Sequence, residues 1–277
     1  MAVLEHKIDC VALVSVTKAN GNGDPLNGNR PRTDYNGMGE ISDVCIKRKI
    51  RNRMQDMGNA IFVQSDDRCD DGFKSLSERA AAATNGIKDE DTYAQIACEK
   101  WMDVRSFGQV FAFKGGTSVG VRGPVSIHQA VSISPVEVES IQITKSVNGE
   151  AGKKRGSDTM GMKHYVRFGL YEIKGAINVQ LAEKTGFSQE DAETVKECLR
   201  TLFVNDASSA RPEGSMEVVK LYWWQHSNKD GQYSSAKVHR SVHVTAKDTT
   251  AIPSSVDDYV ITLDELPNLT PEIIDGI

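Results

Sequence analysis

Two periods of hydrophobic and polar positions alternate along this 277-residue chain, and the changes between them mark its elements. Residues Lys7 to Thr17 (KIDCVALVSVT) are nearly continuously apolar and rich in valine, which predicts a central strand buried on both faces. A loop rich in Gly, Asn and Pro, Asn20 to Pro31, comes next. Ser42 then offers an N-cap with Asp43 in the first turn, opening a helix whose stripe Ile46, Ile50, Met54 and Met57 faces the core. Lys47 and Arg51, one turn apart, share another face, which Arg48 and Lys49 widen into a basic surface.

Simple periodicity disappears over residues 58–120, where an acidic patch at Asp66 to Asp71 and alanines at Ala80 to Ala83 suggest a partly helical insertion. Alternation returns from Val125 to Ser134, with Val125, Ile127, Val131 and Ile133 on one face and Ser126, His128, Ala130 and Ser132 on the other; Pro135 ends that strand. Glycines and lysines between Asn148 and Gly161 make a basic arm. A strand through His164 to Ile173 follows, then a helix capped by Ser188 with Asp191, its stripe being Ala192, Val195, Leu199, Leu202 and Phe203. Strands near Glu217 to Trp224 and Lys237 to Val244, with a turn at Asn228 to Gly231, complete the core. The order strand, helix, strand, strand, helix, strand is that of the split βαβ unit, so the expected fold class is α+β, ferredoxin-like and of RNA-recognition type. Within it, Tyr222, Trp223 and Trp224 either stack on bases or pack the core.

Composition narrows the function classes. Hydrophobic residues at 39% and charged residues at 26% suit a soluble globular protein. No apolar run nears the ~20 residues of a membrane helix, and Met1 to Lys7 lacks the apolar core of a signal peptide, so a cytoplasmic protein with no membrane partner is expected. Cys10, Cys45, Cys69, Cys98 and Cys198 are widely spaced and read as reduced thiols, and no cysteine or histidine cluster has metal-ligand spacing; neither metal nor cofactor is expected. The net charge of −5 is unevenly placed. Asp248, Asp257, Asp258, Asp264, Glu265, Glu272 and Asp275 face no Lys or Arg after position 247, and without them residues 1–247 carry +2. Two basic blocks, Arg30 to Arg53 and Ile141 to Leu170, point to an anionic partner.

The loop Asn20-Gly21-Asn22-Gly23-Asp24-Pro25-Leu26-Asn27-Gly28-Asn29-Arg30-Pro31-Arg32 sits between the first strand and the basic helix, the place for a phosphate cradle of backbone amides and helix dipole. It lacks the Gly-Lys-Ser/Thr of a Walker A loop and the spacing of a dinucleotide fingerprint. With Gly39 to Asn52 (GEISDVCIKRKIRN), it resembles the N-terminal signature of the CRISPR-associated Cascade backbone proteins, the seventh Cas family, type I-C branch, of the RAMP superfamily. Val104 to Gly108 (VRSFG) and Gly123 to Ala130 (GPVSIHQA) are similar to that family's second block.

The resemblance implies a palm of residues 1–57 and 121–277, a finger insertion at 58–120 and a hairpin thumb at about 141–163. It implies partners as well: CRISPR RNA, further copies of the chain stacked along it, CRISPR RNA-processing and large target-recognition subunits, and target DNA paired to the guide. Ser42, Lys47 and Arg51 map onto the family's RNA-holding helix residues, and Ser126 and Gln129 onto its second block. Asn20, Asn22, Arg30, Arg32, Arg48, Lys153, Lys154, Arg155, Lys163 and Arg167 complete the candidate RNA-binding set. A protein that holds any guide sequence needs phosphate and sugar contacts, which these residue types supply. Met160 or Met162 either wedges the RNA at a kink or packs the hairpin base. Two alternatives are enzymes. One is a metal-dependent RNA-cleaving backbone protein using Asp24 or Asp34, for which paired carboxylates or a nearby His are lacking. The other is a phosphate-binding metabolic enzyme, which leaves the basic arm unexplained.

Overall fold

The computed structural model describes residues 2–113, 118–144 and 160–277. Strand β1 (Ile8–Ala19) leads into a small hairpin of β2 (Gly23–Asp24) and β3 (Arg30–Pro31), then β4 (Met38–Ile41) and helix α1 (Asp43–Asp56). Helices α2 (Leu76–Thr84), α3 (Glu90–Lys100) and α4 (Met102–Phe107) follow, with the strand pair β5 (Gly108–Phe111) and β6 (Val119–Arg122). The chain returns through β7 (Val125–Ile127), β8 (Ala130–Pro135), β9 (Val138–Thr144) and the long β10 (Met160–Ile177). Helices α5 (Val179–Thr185) and α6 (Gln189–Arg200) lead to β11 (Met216–Gln225). Helix α7 (Ser235–His239) and strands β12 (Val242–Ala246), β13 (Tyr259–Leu263) and β14 (Glu272–Asp275) complete it.

The main sheet is antiparallel in the order β14-β11-β1-β10-β8-β4, with β7 and β9 also paired to β10. Central strand β1 is apolar because both its faces are covered. Ile8, Cys10, Ala12, Val14 and Val16 pack with α1 (Ile46, Ile50, Met54) and α6 (Ala192, Val195, Leu199). Val11 and Leu13, on the opposite face, pack with Phe168, Leu170, Tyr222 and Trp224 beneath Val238, Val242, Tyr259 and Leu269 of the C-terminal layer. A third core lies in the segment between α1 and β7, around Phe62, Tyr93, Trp101 and Phe111, with Phe62 tilted against Trp101 and Phe111 and Tyr93 edge-on to Phe111.

The caps are where the pattern places them. Ser42 Oγ accepts from the Cys45 amide at 3.3 Å, and Ser188 with Asp191 forms a reciprocal capping box. Tyr222, Trp223 and Trp224 are buried in the core, which rules out the stacking alternative for them.

Several expectations require correction. Val125 and Ile127 share a face, but Val131 and Ile133 do not continue it: Ala130 and Ser132 are buried while Val131 is exposed. Ile127 pairs with Gly175 and Val131 with Glu172, so the β7–β8 side carries one residue more than β10, a bulge that flips every later side chain. Instead of one strand from Lys237 to Val244, helix α7 ends at His239 and β12 starts at Val242, pairing with β13 outside the main sheet. Met57 caps α1 and is exposed. Lys49 is no surface base: it is buried against Asp206, and burial, partly offset by that carboxylate, pulls its pKa down.

Buried Asp9 pins the C-terminal layer. Lys7 Nζ and His226 Nε2 donate to its carboxylate at 2.9 and 2.8 Å. His226 Nδ1 accepts from the Gln232 amide at 2.9 Å, which fixes the proton on Nε2. Burial opposes ionisation of Asp9, yet hydrogen bonds from His226, from Ser235 at the start of α7 and from Lys7 outweigh it and hold the carboxyl below its usual range.

Candidate nucleic-acid interface

The Gly/Asn loop folds as a tight hairpin rather than an open cradle. Asp24 accepts from the Leu26 amide at 3.2 Å, and the Asn29 and Arg32 amides bond to the Asp24 and Asn22 carbonyls. Buried Asn20 donates through Nδ2 to the Asn29 carbonyl at 2.7 Å, closing the hairpin onto the end of β1. Gly23 leaves room for the Asn29 side chain: a Cβ there would lie 2.0 Å from Asn29 Oδ1 and push that amide aside. Asn22 Oδ1 accepts from the Ser42 amide at 2.9 Å, fastening the loop to the N-terminus of α1, while Leu26 stands fully in solvent at the tip.

The bases of α1 divide into two groups. Lys47 stays near the surface in an i,i+4 pair with Asp43 at 3.0 Å. Arg48 and Arg51 turn toward the root of the insertion. Arg48 donates to the Val63 carbonyl at 2.5 Å; Arg51 donates through Nε to Asp103 at 2.9 Å, with its guanidinium 5.0 Å from the Phe107 ring centre. Asp103, 1% exposed, also accepts from the Phe62 and Val63 amides at 2.7 and 3.1 Å.

The first turns of the arm are a ladder pairing Val138–Thr144 with Met160–Val166. Directly opposed residues share a face. One face therefore carries Ser140, Gln142, Met160, Met162 and His164, and the other Ile141, Ile143, Lys163 and Tyr165. Met160 and Met162 are 48% and 55% exposed, so they do not pack the hairpin base. Arg30 reaches from β3 to the arm root, donating to Ser140 Oγ at 2.6 Å and lying 3.4 Å from His164 Nδ1; Ser140 Oγ and His164 Nδ1 are 2.8 Å apart. Sequence patterning missed Ser140 and His164. The alternation Met160, Met162, His164 was the available signal for the latter; the partner strand of Ser140 had none.

Loop, α1 N-terminus and arm root thus adjoin one another. Ser126 and Gln129 do not join them: both are exposed, and Ser126 pairs with Ala176 twelve residues along β10 from His164, about 40 Å of strand. Arg32 lies 3.6 Å from Asp24, and exposed Arg167 lies 3.1 Å from Glu137. Lys153, Lys154 and Arg155 lie outside the described residues. Asp24 and Asp34 serve turns, Asp34 accepting from the Asn36 and Met38 amides. Among the described residues no group of three or more His, Cys, Asp or Glu side chains converges as a metal site, and no helix is long and apolar enough to cross a membrane.

These features define a mixed α/β protein built on a large antiparallel sheet. It belongs to the CRISPR-associated Cas7 family, whose model matches residues 6–264. A CRISPR-associated protein Cas7 of Haloferax volcanii is 24% identical over 279 residues, covering 93% of this chain and 81% of the relative. Its fold is similar to that of a chain in a CRISPR RNA-guided surveillance complex in a pre-nicking state, with TM-score 0.53, 17% identity and coverage of 84% and 81%. A chain in a further CRISPR RNA-guided surveillance complex gives TM-score 0.52 and 19% identity, with coverage of 88% and 78%.

Proposed function

We propose that this protein is the repeating backbone subunit of a Cascade complex of the type I-C branch, a cytoplasmic scaffold that polymerises along CRISPR RNA and leaves its bases free to pair with target DNA. The observation that carries this reading is the placement of its polar groups. The two faces of β1 are packed against the helices and the C-terminal layer, and the Gly/Asn loop, the start of α1 and the root of the arm lie together with polar and basic side chains on them. Such groups hold phosphates and sugars and carry no base readout. Asn20, Asn22 and Ser42 shape the loop, and Lys47, Arg30, Arg32, Lys163 and Arg167 supply charge around it. Ser126 and Gln129, at the far end of β10, meet the RNA path of the same or the next copy.

In this reading the palm is a ferredoxin-like unit. Supporting it are the strand order β11-β1-β10-β8 and the positions of α1 between the first and second of these strands in sequence and α6 between the third and fourth. Residues 58–120 are the finger and the hairpin at about 141–163 the thumb, with Met160 or Met162 as the wedge. The subunit performs no catalysis, since the two loop aspartates are spent on turns and salt links. Size-exclusion chromatography with light scattering, with and without CRISPR RNA, tests it. A multi-subunit particle on intact RNA is expected; a monomer that ignores or degrades RNA would overturn the proposal.

A further inference from the structure

We infer that the outer edge of β14, with the groove beside it, is a docking site for an extended segment of a partner protein, one that carries an apolar side chain flanked by Lys or Arg. The main sheet has two end strands, and the chain itself screens one of them. At the β4 end, the Glu40 amide bonds to the Arg32 carbonyl and the Asp34 amide to that of Met38, so the residues leading from β3 into β4 lie along the edge. Strand β14 pairs with β11 on one side, and among the described residues no backbone group on its other side is bonded. Alternate N–H and C=O groups of Glu272–Asp275 therefore point outward, the template that strand addition uses.

An open groove of about 650 Å³ adjoins this edge, walled by Leu263, Leu266, Pro267, Leu269, Pro271 and Ile273. Ile273 opposes Tyr222 in the ladder, on the side of the C-terminal layer, and stays 52% exposed although Leu263, Leu266 and Leu269 belong to the apolar cluster on that side. A strand added along β14 places every second side chain over the same side, so one of them enters the groove. The charge around it has one sign. Glu265 has no ion-pair partner among the described residues, and Asp264 meets only the His243 ring. The two bases that reach β14, Lys196 and Lys220, are taken by Glu272 and Asp275. Such a rim repels the phosphates of RNA and the equally acidic β14 of a second copy, and it attracts a basic segment. The site lies outside the loop and arm, so it does not depend on the RNA-binding reading.

The test is fluorescence anisotropy of a labelled peptide that alternates lysine and valine, added to the full chain without RNA, with hydrogen exchange locating where it lies. Binding is expected, and it should slow exchange of the outward amides of β14. Methylating the peptide's backbone nitrogens keeps its charge and removes its strand donors, and should weaken binding about tenfold or more. Glu265→Lys and Ile273→Asn, both at exposed positions outside the buried core, should each weaken it too, and a peptide alternating glutamate and valine should not bind. No binding, equal binding of the methylated peptide, or protection confined to other elements would overturn the inference. Self-association of the RNA-free chain that Ile273→Asn abolishes would give the edge to a second copy and overturn it as well.

Discussion

Arg51 stands one turn after Lys47 on α1, yet only Lys47 remains at the surface. The carboxylate that draws Arg51 inward, Asp103, is fifty-two positions away and simultaneously receives two backbone amides at the root of the insertion. Helical spacing shows which residues share a face and is silent about what a distant segment lays over it. Lys49 and Asp206 repeat the lesson across 157 positions. Arg51 therefore positions the insertion against α1. Breaking so enclosed a pair by removing one partner costs about 3 kcal/mol or more. Arg51→Ala and Asp103→Asn should each shift the urea unfolding midpoint down, and the double variant should cost less than the two losses combined. Full additivity would mean the two groups do not act together.

At the scale of elements, the strand pattern of β1, the capped starts of α1 and α6 and their apolar stripes are all legible because each depends on residues within a few positions of one another. The insertion's own core and the bulge between β7 and β8 are not. One extra residue at His128–Gln129 reverses which side chains face inward, and only the pairing partner β10 reveals it. The C-terminal layer was equally obscure, because its short strands pack on Val11 and Leu13 and its helical turn stands against Asp9, all near the other end of the chain. That contact makes the layer acid-sensitive. A carboxyl held below its ordinary value contributes stability that is complete above about pH 4, where the unfolded group is ionised, and is lost as the pH falls through the folded-state value. Hydrogen exchange in α7, β12 and β13 should rise below about pH 4 before exchange in α6 does. Asp9→Asn should raise it already at neutral pH. Simultaneous loss of both regions would show that the layer has no independent attachment.

For the molecule as a whole, the candidate interface was legible in kind, from the Gly/Asn loop and two basic blocks, and incomplete in composition. Ser140 and His164 join it only because β10 is long enough to carry the arm past the loop. Charge is segregated at this scale too. Asp257, Asp264 and Glu265 are exposed in the C-terminal layer, away from the loop and arm in sequence. Like-signed repulsion there opposes indiscriminate attachment of polyanions. Replacing these three by Asn or Gln should strengthen guide-free RNA binding several-fold at low salt and very little at high salt, as measured by fluorescence anisotropy. Equal effects at both salts would exclude an electrostatic origin.

The layer that seals the second sheet face has one more consequence. In RNA-recognition domains the open sheet is where bases are stacked and told apart. Here Tyr222 and Trp224, the aromatics best suited to that task, are roofed over by Val238, Val242, Tyr259 and Leu269. A chain blind to letters can carry any text. On the proposed reading, the host can archive a new invader by changing only the nucleic acid, and no record it adds requires the carrier to evolve.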